Sequence, residues 1–431
     1  MRTDLILEEE TLPIVYISSE EIDTFRLALT ETTEALSYCW ESEEVYHIHL
    51  TPPLHAFGRQ GKVLVSKNRN VLQTQYADES VLFYLLVSPT ECQLQMRTEH
   101  GIRDCAVNYI PSKDDLYSRN KGLLELNVLE SKRVMIVGLG SFGSQIAIEL
   151  AKAGVGHFAL FDFDRVELHN LARHTCTTKD LGRLKTDAIY DAIVGKNPYA
   201  EVDKFPVNIN KNIDNGVLDE EVEKADIVIC ATDNNQSRFN LSQALVRHHK
   251  VGIFGRAITR AEGGDVFRYR PGGPCYCCLV GAGVFNAQEE EISNLESARR
   301  DGRIPAYMSQ TDAEAVVQVG LSADIEPICN LMVKLALVEL SRGKQSGIAS
   351  LEQEMVYDYY MWANRRENKY ANFAPLPQSA NMPTILRWYG AKIQKNAGCP
   401  VCSNDFNLDE GDDVLAMTDI DLDLNTDGLS L

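Results

Sequence analysis

The stretch KRVMIVGLGSFGSQIAIELAK, residues 132–152, decides the fold. Its first part, KRVMIVG at 132–138, is a basic start followed by an apolar run, the pattern of a buried strand. Its last part, SQIAIELAK at 144–152, reads as a helix that Gly154 stops. Between them Gly138, Gly140 and Gly143 make a G-x-G-x-x-G motif. Glycine is needed where a backbone turns tightly and approaches a phosphate closely. A helix beginning at Ser144 would aim its free N–H groups and positive dipole end at that phosphate.

Reading outward, HFALFDFD at 157–164 predicts a second strand, and ADIVICA at 225–231 and KVGIFG at 250–255 predict further buried strands. Residues 324–340 predict a long helix with an apolar face. Strands alternating with helices imply a parallel, doubly wound α/β sheet. Residues 1–115 read as a small N-terminal α/β domain, a candidate for partner binding. There Ile22, Phe25, Leu29 and Leu36 keep to one helical face, Tyr46, Ile48 and Leu50 alternate as in a half-buried strand, and 80–88 is a short apolar run. His47, His49 and His55 lie in this segment without matching cysteines and read as ordinary surface or core residues. Residues 406–431 are acidic and lose periodicity, which predicts a solvated, disordered tail.

The 431 residues carry a net charge of −20, with 44% apolar and 24% charged side chains. That balance argues against a nucleic-acid-binding surface and suits a soluble protein. No run reaches the length of a membrane span, and the acidic start lacks the basic and apolar regions of a signal peptide. A cytoplasmic location is therefore expected, where eleven cysteines favour metal binding or chemistry over disulfides.

The glycine motif alone suits an NAD enzyme equally well. Asp162, at the end of the second strand, is placed to take hydrogen bonds from a ribose. The connection after that strand breaks the tie: DFDRVELHNLARHTCTTKDLGRLK, residues 162–185, gathers Asp164, Asn170, Arg173 and Lys185 together. A dehydrogenase has no need of that set, whereas an enzyme handling a triphosphate does. Arg173 and Lys185 can neutralise phosphate charge, and Asn170 can donate to a phosphate oxygen. Asp233, in CATDNN after a buried strand, is placed to hold Mg2+ through carboxylate oxygen. Cys275 and Cys278, and far along the chain Cys399 and Cys402, form two C-x-x-C pairs at a spacing suited to tetrahedral Zn2+.

With these motifs in this order, residues 116–405 resemble the ThiF/MoeB/HesA superfamily, which includes the activating enzymes for ubiquitin-like proteins. Asp162, Asp164, Val166, Asn170, Leu171 and Arg173 match its D-x-D-x-V-x-x-x-N-L-x-R element. Lys185 matches its lysine, Thr232-Asp233 its T-D pair, and Tyr117-Ser118-Arg119 its Y-S-R. The resemblance implies a Rossmann-like adenylation domain with a zinc site, and ATP-dependent adenylation of a C-terminal carboxylate. It implies that Asp162 binds ribose, that Asn170, Arg173 and Lys185 contact phosphates, and that Asp233 holds magnesium. It also implies that Arg119 reaches the ATP site of the other subunit of a homodimer. The expected partner is a ubiquitin-like or sulfur-carrier protein, with a conjugating enzyme downstream. Thioester-forming members usually carry a cysteine shortly before the long helix; residues 279–326 contain none. Cys329 and Cys176 are the candidate substitutes, while Cys230 reads as inert and Cys277 as a small buried residue. Alternative readings are adenylation of a small carboxylate such as a tRNA nucleoside, or a non-catalytic partner subunit. The retained Arg173, Lys185 and Asp233 argue against the latter.

Overall fold

The computed structural model describes residues 13–40, 45–51, 59–110, 116–120, 122–124, 126–211, 216–258, 261–283, 320–345, 348–366 and 385–403. Its contacts divide the chain into two compact units, Met1–Arg119 and Asn120–Leu431.

In the first unit the described strands are β1 (Ile14–Ser18), β2 (Thr32–Trp40), β3 (Val45–His49), β4 (Arg59–Ser66), β5 (Val81–Val87), β6 (Cys92–Thr98), β7 (Gly101–Cys105) and β8 (Val107–Ile110). They form one mixed sheet in the order β7-β6-β5-β4-β2-β3-β1-β8. Alternate residues Val15, Ile17, Tyr46, Ile48, Val63 and Val65 face a common core with Ile22 and Phe25 of helix α1 (Ser19–Leu27). The helical periodicity expected to run on to Leu36 breaks early. Leu29 is fully exposed beyond the helix, and Leu36 lies on β2, where the β-branched Thr32 and Thr33 favour a strand. His47 stacks on Tyr16 across the sheet; His55 lies outside the described residues.

The second unit contains β9 (Arg133–Val137), α2 (Ser141–Ala153), β10 (His157–Phe161), α3 (Lys185–Val194), β11 (Glu201–Phe205), β12 (Ile227–Cys230), α4 (Asn235–Arg247), β13 (Val251–Ala257), β14 (Gly263–Tyr269), α5 (Tyr276–Gly281), α6 (Ser322–Leu340), β15 (Tyr359–Ala363) and β16 (Arg387–Ala391). The sheet order is β11-β10-β9-β12-β13-β14-β15-β16. Strands β11 to β13 are parallel and β14 to β16 run antiparallel. The parallel, doubly wound part follows the sequence expectation, and the antiparallel edge extends it. Met135 faces one hydrophobic layer, and Val134 and Ile136 the other, so both faces of β9 are covered. Because β9 lies between β10 and β12, the strand order reverses beside it, and a crevice opens at the strands' carboxyl ends. Helix α2 starts at Ser141, three residues before the expected position, and ends at Gly154 in the left-handed conformation. Most of the segment between α5 and α6, and the tail from 406, lie outside the described residues.

Candidate active site

The crevice is a cleft of about 480 Å³, within the size range of small-molecule sites. The turn between β9 and α2 forms its floor. Gly138 has φ +86°, and a Cβ there would stand 2.7 Å from the carbonyl oxygen of Ala231. Gly143 sits in the first turn of α2, where a Cβ would fall 1.8 Å from the Gly138 oxygen. Both positions are therefore closed to any larger residue by the neighbouring backbone. At Gly140, which caps α2, a Cβ would meet nothing within 4 Å.

Asp162 leaves the end of β10 and is buried. Its two carboxylate oxygens accept the N–H groups of Leu139 at 2.7 Å and Asp164 at 2.8 Å. Burial pushes its pKa up, against the pull of Lys185 and of the two backbone donors. Lys185 opens α3 and is itself buried, with Nζ 3.0 Å from Asp164 Oδ2. Burial works against its charge, but Asp162, Asp164 and Asp233 together outweigh it and hold the ammonium above its usual pKa. One cation is thus set among three carboxylates at the mouth of a glycine turn.

Asn170 spends its side-chain oxygen on the N–H of Glu167, at 2.9 Å, in a reciprocal cap. Its amide N–H2 is the end chemically suited to donate to a ligand. Arg173 lines the same cleft, and Gln145 of α2 donates to its carbonyl at 3.4 Å. The cleft thus brings together Gly138, Gly140, Asp162, Asp164, Asn170, Arg173, Lys185 and Asp233, with Gly143 packed directly beneath. Arg119 belongs to the first unit, where it is exposed on the 3-10 turn Ser118–Asn120.

Sequence reasoning missed four features of this site. Arg238 is buried on α4 and donates to the Thr232 carbonyl at 2.7 Å. Arg256, at the end of β13, holds Asp265 through Nε and Nη2 at 3.1 and 2.6 Å. Asn208, Asn210 and Asn234 form an amide wall, Asn210 donating to Asn234 at 3.3 Å. The available signal was position: Arg238 and Asn234 follow the buried strand β12, Arg256 stands next to the end of β13, and Asn208 and Asn210 follow the edge strand β11. The fourth is His174, next in sequence to Arg173 and buried. Its Nε2 lies 2.6 Å from the carbonyl oxygen of Leu139, and its Nδ1 accepts the N–H of Cys176 at 3.1 Å.

Burial pushes the His174 pKa down to about 4. The unfolded chain takes up its proton near pH 6.5, so the folded state favours the neutral ring. That contribution to stability is complete above about pH 6.5 and is lost as pH falls toward 4, amounting to at most about 3 kcal/mol. A His174→Gln protein should therefore lose less thermal stability than wild type between pH 7 and 4. Parallel melting-temperature profiles of the two proteins would contradict this.

The Sγ atoms of Cys275, Cys278, Cys399 and Cys402 are all buried and lie within 4.8 Å of one another. Thiolates about 2.3 Å from a tetrahedral zinc stand about 3.8 Å apart. The observed separations are 3.9 Å for Cys275–Cys278, 3.5 Å for Cys275–Cys399 and 3.4 Å for Cys278–Cys402. The backbone N–H of Asn396 donates to the Cys278 sulfur at 3.4 Å. Charge, number and spacing of donors all fit one soft divalent cation. The two candidate thiols are less reactive than the sequence allowed, since burial pushes Cys176 up to about 12 and also raises Cys329; Cys230 is raised by burial too, in line with its reading as inert. Cys277 is half-buried beside the cluster.

No helix among the described residues is long and apolar enough to cross a membrane. The adenylyltransferase and sulfurtransferase MOCS3 of Culex quinquefasciatus is 34% identical over 193 residues, covering 43% of each chain. The molybdopterin-synthase adenylyltransferase of Escherichia coli K12 is 37% identical over 153 residues, covering 35% of this chain and 59% of that one. The chain thus spans about half the length of the curated relatives it matches. Among solved structures, E. coli MccB with ATP overlaps 64% of this chain and 68% of its own at 16% identity and a TM-score of 0.44. The ThiF family pattern matches residues 116–351, more than half of the sequence and all of the cleft's charged residues named above, and the chain belongs to the ThiF family.

Proposed function

We propose that this protein uses ATP and Mg2+ to adenylate the C-terminal carboxylate of a ubiquitin-like protein. The observation that carries this reading is Lys185 held among Asp162, Asp164 and Asp233 at the mouth of the glycine turn. Asp162 would take the ribose, Asn170, Arg173 and Lys185 the phosphates, and Asp233 the magnesium. A substrate carboxylate oxygen attacks the α-phosphorus, the bond from that phosphorus to the α–β bridging oxygen breaks, and pyrophosphate leaves with the electron pair. The product is an acyl adenylate, a mixed anhydride open to attack by a thiol, amine or sulfide. The chain's residues contribute positioning and charge stabilisation. All eleven cysteines are accounted for in the described residues, and those nearest the cleft are buried. This supports transfer of the adenylate to a nucleophile on a partner such as a conjugating enzyme. The names of the Culex and E. coli relatives support adenylation and favour a sulfur carrier as the second reading.

Pyrophosphate–ATP exchange tests the proposal. Exchange should require magnesium and a candidate carrier and should disappear in Asp233→Ala and Arg173→Ala. Which carrier supports it separates the ubiquitin-like from the sulfur-carrier reading. Exchange absent with every carrier, together with tight NAD binding, would overturn both.

Arg119 would complete the site of the opposite subunit in a homodimer. Mixing inactive Arg119→Ala with inactive Asp233→Ala should then restore exchange. In the mixed dimer the Arg119→Ala subunit keeps Asp233 and receives Arg119 from its partner. A monomeric, fully active wild type, or mixed dimers without activity, would refute an action in trans.

A further inference from the structure

The turn between β9 and α2 is held by two side chains acting on one residue. Leu139 is completely buried. Its N–H donates to Asp162 Oδ2 at 2.7 Å, and its carbonyl oxygen meets His174 Nε2 at 2.6 Å. Both polar groups of this residue are therefore satisfied by side chains from the segment after β10, not by its own helix. The second contact of the ring fixes the tautomer. Nδ1 accepts the Cys176 N–H at 3.1 Å, so the proton sits on Nε2 and is donated to Leu139. The backbone N–H of His174 in turn donates to the Asn170 carbonyl at 2.9 Å. Gln145, one turn into α2, donates to the carbonyl of Arg173.

We infer that His174 is a positioning residue for the nucleotide: through its Nε2–H it locks the glycine turn in register with the segment that presents Asn170 and Arg173. The inference rests on the adenylation reading for its kinetic test, but not for its structural one. Without this link, the floor of the cleft and its phosphate-binding cation would be tied more loosely, through the Leu139 N–H to Asp162 and the 3.4 Å contact of Gln145 with the Arg173 carbonyl. Shifts of about 1 Å in such arrangements are enough to cost a hundredfold in rate. Lys185 and Asp180 are the charged groups that act on the ring, in opposite directions. Glutamine can replace both contacts, since its amide N–H2 donates to Leu139 while its oxygen accepts from Cys176. Alanine can replace neither.

The test combines spectroscopy and kinetics on the full chain. In 15N-histidine-labelled wild type at pH 7.5, the resonance missing from His174→Gln should report a proton on Nε2 and none on Nδ1. In carrier-dependent pyrophosphate–ATP exchange, His174→Ala should raise the KM for ATP at least tenfold, with a smaller fall in kcat. His174→Gln should recover to within about threefold of wild type on both. An Nδ1-protonated ring, equal penalties in the two variants, or an unchanged KM in His174→Ala would overturn the inference. If wild type neither exchanges nor binds ATP, the adenylation proposal fails instead, and the tautomer spectrum still decides whether the lock exists.

Discussion

Lys185→Met should lower carrier-dependent pyrophosphate–ATP exchange by about a thousandfold while leaving the protein folded. Removing one preorganised charge or donor from a developing anion costs about 100- to 1000-fold. Lys185 belongs at the upper end, because its ammonium is buried and flanked by three carboxylates. On the proposed reading, deleting it would take away a contact to phosphate and leave Asp162, Asp164 and Asp233 in the cleft without the cation that offsets them. The structural cost is smaller. Breaking a fully buried ion pair costs about 3–5 kcal/mol. The side chain of Asp164, however, is 47% exposed and can rehydrate, so a loss of about 1–2 kcal/mol is the better expectation. The two effects separate by measuring exchange alongside thermal midpoint. A variant that unfolds before it loses activity, or that retains more than a tenth of wild-type exchange, would remove Lys185 from the phosphate-binding set.

The purified protein should contain one zinc per chain, and Cys399→Ala should lose both the metal and the C-terminal knuckle. Cys275 and Cys399 are 124 residues apart in sequence. Closing a loop of that length in the unfolded chain corresponds to about 5 kcal/mol by the chain-entropy relation used for disulfides. At about 2.1 cal/mol/K of unfolding entropy per residue, the unit from Asn120 to Leu431 shifts its melting temperature by about 1.5 °C per kcal/mol, so a drop of about 7 °C is expected. Metal content by elemental analysis and protease sensitivity around Asn396–Cys402 give two independent readings. Metal-free protein with wild-type melting behaviour would reduce the cluster to four packed thiols.

Much of this site was legible from spacing. The G-x-G-x-x-G motif between an apolar run and a helical pattern fixed the floor of the cleft. Asp162, Asp164, Asn170, Arg173, Lys185 and Asp233 converge because each comes after the carboxyl end of a parallel strand, and chain order alone locates those ends. Three aspects were hidden for physical reasons. The antiparallel strand β14 carries no periodicity that distinguishes it from a parallel one, because it is buried along its whole length. The Leu29–Leu36 stretch fits a helical face by spacing, but local β-branched residues and sheet pairing prevailed. His174, Arg238 and Arg256 act through backbone carbonyls or a distant aspartate, partners that no linear spacing reveals.

The place of β9 in its sheet has a consequence for how the chain acquires its shape on the ribosome. One side of β9 pairs with β10 almost at once, Val134 with Phe158. The other side waits for β12, Val134 pairing with Ile227. The first unit repeats the arrangement, β1 waiting for Val107 to meet Val15. A nascent chain that has not yet delivered residue 227 exposes one edge of Val134–Val137, unpaired and apolar, the kind of edge that recruits other chains. Such non-local closure makes folding slow. Truncations ending between β10 and β12 should therefore aggregate, and the intact protein should be most vulnerable during synthesis rather than after it.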